Sequence, residues 1–572
     1  MMEVAFAILM SLVQLGVFVG LIVFVVKLVT KKGASSTEGS GVSIRRFFQY
    51  LIMLVMLAIA AFGVIGIIDA VASAGSAVTR DTSAIARSIA FVVVGIPVYG
   101  GLALYTRRQL VREPREARSF GWLGYLTIAL VGSLIFVMSF TVAFVGELLA
   151  EGNVDRTALV SMIVWGGVWF GHWWVAGQRA EESRMQFHLL AGSAVGLVPL
   201  GIGAGVAIGA ALGEIYDAVF SVTAVDAGVE TLVRGLVLFV IGALAWLFYW
   251  IGHARKTDRS VPWLIYVLLF GVLGGVITFV VGTGTLVYGF LDWFIGDVGS
   301  TSAASHFAFV PGAVAALVVG AGSWGYHRVV LGSRAGEART EVHRVYDYLL
   351  SGAGLIVAAS GLGTLITVAL DAIGNATTVG SRGSTSAAGI MLLIIGVPLW
   401  WRHWSTVRHF RASEPGEEVA SVTRRIYLFV LFGATSLVAV ISLIVLIFIA
   451  VEDLLEATVG AATISSIAVP VALIVTSGAV AWYHFAVFRE DRSITPKEVV
   501  AVLREVIVVG SDADIATVAS GTKAHVQALR TAGEPMDVET LDDVIATLGV
   551  TAHERVVVVS EEGRFTVTPI EG

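Results

Sequence analysis

Three histidines recur at one offset from a tryptophan: His172 follows Trp169, His327 follows Trp324 and His403 follows Trp400, each by three residues. Imidazoles brought together from separate copies of such a phrase could bind a metal or relay protons near neutral pH. His253 and His484 lie near the same point of two further copies. No two histidines show the i, i+4 spacing of a helical metal pair. Each is therefore expected to sit beside Trp at a membrane interface, bonded to a headgroup or a neighbouring carbonyl. The chain has no Cys, which removes disulfides, thiolate ligands and Cys nucleophiles together. Walker A, kinase, His-Glu-x-x-His and Gly-x-Ser-x-Gly elements are absent from the sequence. The expectation is no catalytic residue, no cofactor and no enzyme activity, with His172, His327 and His403 kept as the metal candidates.

The elements that must position these side chains announce themselves by repetition. An apolar phrase carrying Gly, then an aromatic, often followed by His, occurs six times, and its aligned aromatics are Tyr99, Trp169, Trp246, Trp324, Trp400 and Trp482. They stand 70 to 82 residues apart, the length of two membrane helices with their loops. With 56% hydrophobic and 14% charged residues and a mean hydropathy of +0.86, the chain cannot be a water-soluble globular domain. We expect an all-α polytopic membrane protein of about thirteen spans. It opens with an anchor at 1–32, whose apolar run is too long for a leader. Six parallel two-helix repeats follow at 43–112, 118–180, 183–256, 261–330, 342–411 and 423–490. A small cytoplasmic α/β domain occupies 495–572.

Orientation follows from charge. One set of loops holds most of the basic residues, among them Arg107, Arg108, Arg255, Lys256, Arg328, Arg408 and Arg411, and the other set holds only Arg80, Arg87, Arg156, Arg234 and Arg382. By the positive-inside rule the first set is cytoplasmic, which puts the N-terminus outside and the C-terminus inside a plasma membrane. The opposite turns carry Asp69, Glu147, Asp292, Asp371 and Asp453, an outer acidic rim that caps helices or, on the sharper reading, attracts cations. Ionisable residues are scarce within the spans; Gln14 and Asp347 are shallow. A coupled transporter is expected to place carboxylates deeper.

Hairpin entries share a second signature, Arg46 with Tyr50, Arg344 with Tyr348, and Arg425 in the last repeat. Arg at headgroup level with an aromatic ring one turn deeper is the composition of an interfacial anchor. With the exit aromatics Tyr99, Trp169, Trp246, Trp324, Trp400 and Trp482, these residues form the expected anchor set. The combination of Arg–Tyr entry, acidic turn and Gly-x-x-x-Trp-x-x-His exit resembles a bacterial integral-membrane family known only as a domain of unknown function. The resemblance covers about 45–490. The chain departs from the pattern at Tyr99 and Leu102, at Tyr249 and at His484. The resemblance implies an inner-membrane location and no particular activity.

Gly201, Gly205, Gly209 and Gly213 recur every four residues and are expected to form a close helix-packing face. Pro97 and Pro398, at equivalent positions, are expected to kink their helices. In the tail, Val506–Val509, a helix near 512–522, a strand near 524–529, a helix at 537–548 and a hairpin around Glu561-Glu562-Gly563 spell a small α/β domain. A capped helix at 496–503 is expected to precede it. From Arg489 onward there are 15 acidic and eight basic residues, which argues against nucleic acid as a partner. The expected partners are the lipid bilayer and a cytoplasmic protein bound through 495–572. The leading functional expectation is a scaffold, assembly or sensory protein. The alternatives are a transporter or channel between pseudo-symmetric hairpins, and a membrane-bound enzyme or metal-binding redox subunit.

Overall fold

The computed structural model describes residues 40–72, 82–117, 119–152, 154–179, 182–222, 228–299, 301–332, 340–374, 381–494, 505–510, 512–522, 524–530, 538–550, 555–561 and 564–569. The anchor span expected at 4–29 and the capped helix expected at 496–503 lie outside them. Helices follow in hairpin order. The first hairpin is α1 (Ser40–Ala72) and α2 (Thr82–Arg112), joined by the short α3 (Pro114–Ala117) to the second, α4 (Phe120–Glu151) and α5 (Arg156–Arg179). The third is α6 (Glu182–Phe220) with α7 (Val229–Lys256), and the fourth α8 (Val261–Ile295) with α9 (Ala303–Leu331). Then come α10 (Glu341–Ile373), α11 (Arg382–Ser413), the short α12 (Pro415–Ala420), α13 (Val422–Leu455), the short α14 (Ala461–Ser466) and α15 (Ala468–Ile494). Twelve of these helices are long and apolar enough to cross a membrane. The chain has the architecture of a multi-pass membrane protein.

The described chain divides into two compact units, residues up to 404 with 442–476, and 405–441 with 477–572. In the first unit, glycine sets how closely the arms of a hairpin approach. A Cβ on Gly196 or Gly203 of α6 would run into the backbone of α7 at Trp246 or Phe239, and one on Gly235 or Gly242 of α7 would meet α6 at Ala207 or Leu200. The fourth hairpin repeats the device with Gly275 and Gly282 against α9 and Gly320 against α8. Backbone contact of this kind replaces the hydrophobic drive that lipid cannot supply. The every-fourth glycine row of α6 is placed differently. A Cβ on Gly209 would lie 3.5 and 3.7 Å from Gly312 and Ala315 of α9, one on Gly201 would lie 3.8 Å from Val319, and one on Gly205 would meet nothing within 4 Å. A step of four residues overshoots the 3.6-residue turn by about 40°, so such a row winds off any one contact.

Two stretches depart from α geometry, Leu247–His253 in α7 and Tyr266–Leu273 in α8, both wound as π-helix. The wider turn lets neighbours in sequence face inward together, and Tyr249, Trp250 and Tyr266 are all nearly or fully buried in the largest core.

In the second unit, β1 (Glu505–Gly510), α16 (Asp512–Gly521), β2 (His525–Arg530), α17 (Val538–Val550), β3 (Arg555–Glu561) and β4 (Arg564–Pro569) form a four-stranded sheet of order β2-β1-β3-β4. β1 pairs parallel with β2 and β3, each reached through a helical crossover, and β4 returns antiparallel to β3. Val506, Val508, Val556 and Val558 alternate along their strands onto a face covered by Val518, Val544 and Leu548.

Candidate functional site

The polar residues that are buried lie mostly at the basic-loop ends of the helices, and they form links between hairpins. At the first junction, α3 carries Glu116, 0% exposed, into the space beside α1. Arg46 Nε donates to it at 2.9 Å, Tyr50 Oη at 2.8 Å and Arg45 Nη2 at 3.4 Å. Beside them Gln49 donates to Thr106 Oγ1 of α2 at 2.8 Å. Ser119 caps α4 by accepting from the Trp122 N–H, which sets the register that turns Tyr125 inward.

From Tyr125 the chain of bonds runs to the second hairpin's exit. Tyr125 Oη lies 2.8 Å from His172 Nε2 and 3.1 Å from Tyr99 Oη. His172 Nδ1 donates to the Val168 carbonyl at 2.8 Å, which leaves Nε2 of the neutral ring as the acceptor for Tyr125. His327 and His484 make the same bond to the carbonyl four residues back, at 2.9 and 2.8 Å. His403 instead meets Asp347 Oδ1 at 3.1 Å, and that carboxylate, shallow along its helix, is 0% exposed. Among the described residues no three His, Asp or Glu side chains gather closely enough to hold a metal ion. The three candidate histidines are thus each taken up in a separate contact.

The exit aromatics do something the repeat phrase alone does not reveal. Trp246 Nε1 donates to Tyr266 Oη at 2.9 Å and Trp324 Nε1 to Tyr346 Oη at 3.2 Å, each joining one hairpin to the entry of the next. Tyr99 with Tyr125 is the same link in the first pair. The third hairpin has no Tyr at its entry, and Trp169 Nε1 bonds Tyr249 of α7 instead, at 2.6 Å. Trp250 adds a bond to Tyr326 at 2.9 Å.

The anchor set therefore divides. Arg46, Tyr50, Arg344 and Tyr348 are buried between helices, Tyr99, Trp169, Trp246, Trp324 and Trp400 are half-buried, and Trp482 is 75% exposed. In the last repeat the buried arginine is Arg424, 1% exposed, and Arg425 is exposed. Ser421 caps α13 by accepting from the Arg424 N–H, which fixes that register. Arg424 grips Asp491 with Nε at 2.6 Å and Nη2 at 3.0 Å, and Arg411 Nε reaches the same carboxylate at 2.9 Å. Of the acidic turn residues, Asp69 accepts from Thr157 at 2.8 Å, Asp371 offers its carbonyl to Arg382 at 3.3 Å, and Asp292, Asp453 and Glu147 range from half-buried to exposed.

Glu116, Arg424, Asp491 and the tyrosine partners escape a reading of single repeats. Their signal is an alternation between hairpins: Ser119-x-x-Trp122-x-x-Tyr125, Ser260-x-x-Trp263-x-x-Tyr266 and Ser421-x-x-Arg424-x-x-Tyr427 open every second one. Before the first and last stand Glu113-Pro114-Arg115-Glu116 and Glu414-Pro415-Gly416-Glu417.

Residues 46–167 and 344–511, together just over half the chain, match the domain of unknown function DUF5671. The chain belongs to this family. Both DUF5671 stretches open on a buried hairpin-entry arginine, Arg46 or Arg344, and each runs across two successive hairpins. No curated protein and no solved structure matches the chain.

Proposed function

We propose that this DUF5671 protein is a non-enzymatic scaffold or assembly protein of a bacterial plasma membrane. Its N-terminus lies outside, its hairpins share one orientation, and the cytoplasmic region 495–572 docks a protein partner. The observation that carries the reading is the set of side-chain bonds between successive hairpins, Tyr99–Tyr125, Trp169–Tyr249, Trp246–Tyr266 and Trp324–Tyr346. Bonds of this kind hold neighbouring hairpins in one register, whereas alternating access needs one set of helices to rock against another. The asymmetry of the arginines supports the orientation.

Proteoliposomes of the full-length chain test it. The expected result is ion and solute flux equal to that of protein-free vesicles, together with retention of a cellular partner that is lost when the exposed Leu529 of edge strand β2 becomes Glu. Flux above background that disappears in Trp324→Phe would overturn the scaffold reading in favour of transport.

A further inference from the structure

Between the fourth hairpin and α11 lies a cleft of about 340 Å³. Its α8 wall is Val276, Phe279, Val280 and Thr283, spaced i, i+3, i+4, i+7 and so one face of the helix. Facing it are Ile395, Pro398 and Leu399 of α11, with Trp324 of α9 alongside. The two helices close on each other at the deep end, where a Cβ on Gly284 would sit 3.2 Å from Met391 Sδ and 3.4 Å from Ile395 Cδ1. At the opposite end the wall turns polar, with Arg402 and His403. His403 is buried against Asp347 at 3.1 Å, and the Arg402 side chain is exposed at the mouth. Arg408 and Arg411 follow on the same helix, placing the mouth at the basic-loop end.

We propose that this cleft holds one acyl chain of an anionic phospholipid whose headgroup is paired with Arg402. An apolar slot, narrowed where α8 and α11 approach at Gly284 and carrying a guanidinium at the basic end of a membrane helix, complements an acyl chain and an anionic headgroup. A guanidinium forms charge-assisted bonds with phosphate oxygens, and anionic lipid is drawn to basic residues at a membrane face. The lining volume falls in the range of small-molecule sites, roughly 300 to 1,000 Å³. The cleft is a place for a bound lipid within the hairpin array and is independent of any partner at the C-terminal region.

The test uses the full-length chain in nanodiscs with phosphatidylglycerol or phosphatidylcholine bearing a diazirine at the acyl terminus, followed by peptide mapping. The phosphatidylglycerol probe is expected to label 276–283 and 394–399 preferentially. Val280→Trp, which fills the slot, removes that labelling, and Val281→Trp, on the neighbouring exposed face, leaves it. Arg402→Gln lowers phosphatidylglycerol labelling about fivefold to tenfold and leaves the phosphatidylcholine signal unchanged. Equal labelling by the two probes, labelling no denser than around the exposed Ile444 and Phe448 of α13, or labelling that survives Val280→Trp overturns the proposal. Native mass spectrometry that finds a free fatty acid in place of phospholipid also overturns it. If Val280→Trp does not insert, the wild-type map and Arg402→Gln decide alone.

Discussion

Glu116 accepts from two arginines and a tyrosine while wholly enclosed by protein. Removing one partner of a buried charge pair costs roughly 3–5 kcal/mol, because the remaining charge keeps its desolvation penalty. Glu116→Ala is therefore expected to lower the unfolding midpoint in detergent sharply. Glu116→Gln, which still accepts from Tyr50, is expected to lose less, and a wild-type midpoint for Glu116→Ala refutes a structural role. The Trp324–Tyr346 link is neutral, and hydrogen bonds between membrane helices contribute about 0.6 to 2 kcal/mol. A double-mutant cycle of Trp324→Phe and Tyr346→Phe should return a coupling of that size, measured by the same unfolding assay; zero coupling means the bond adds nothing. None of these partners could be named from a single repeat. A carboxylate after Glu-Pro reads as an exposed loop residue until the neighbouring helix buries it.

At the scale of helices, a glycine matters according to what faces it. A Cβ on Gly196 would run into the backbone of α7 at Trp246, and one on Gly205 would meet nothing within 4 Å. Gly196→Val is expected to destabilise the third hairpin by about 1–3 kcal/mol through overpacking. Gly205→Val should leave the unfolding midpoint nearly unchanged; equal effects from the two would contradict the packing described here. Of the row spaced by four, Gly201 and Gly209 face α9, and the backbone approach within the hairpin falls at Gly196 and Gly203. Close approach is decided by the partner helix's path, which sequence spacing does not contain. The strands of the C-terminal region were far more legible. Val506–Val509 and Val556–Val559 announce buried strands by β-branched runs, and both lie in the sheet.

For the whole molecule, the absence of Cys makes topology directly measurable. Single-cysteine variants Arg107→Cys, Arg255→Cys and Arg408→Cys are expected to react with an impermeant maleimide from one side of the membrane, and Asp297→Cys from the other. Reaction of Arg107→Cys and Arg255→Cys from opposite sides would break the parallel-hairpin arrangement. The two DUF5671 stretches, each spanning two hairpins, together with the serine caps at Ser119, Ser260 and Ser421, favour a recurring unit of two hairpins over one. The alternation was present in the sequence throughout. It stayed hidden because the stronger Gly–aromatic signal recurs in every hairpin and masks a weaker one recurring in every second.

Apolar length, the six-fold aromatic phrase and the segregation of arginine were enough to determine a multi-pass helical protein with a strand-containing C-terminal region. These are local properties, since span length and β-branched runs act on the chain before any helix meets another. Which polar side chains meet was decided only by tertiary structure. Trp246 finds Tyr266 20 residues on, whereas Trp169 finds Tyr249 80 residues on, because the third hairpin offers no tyrosine at its entry. Buried polar groups must find partners wherever packing brings them, and that choice depends on helix rotation and crossing, which repeat spacing leaves open.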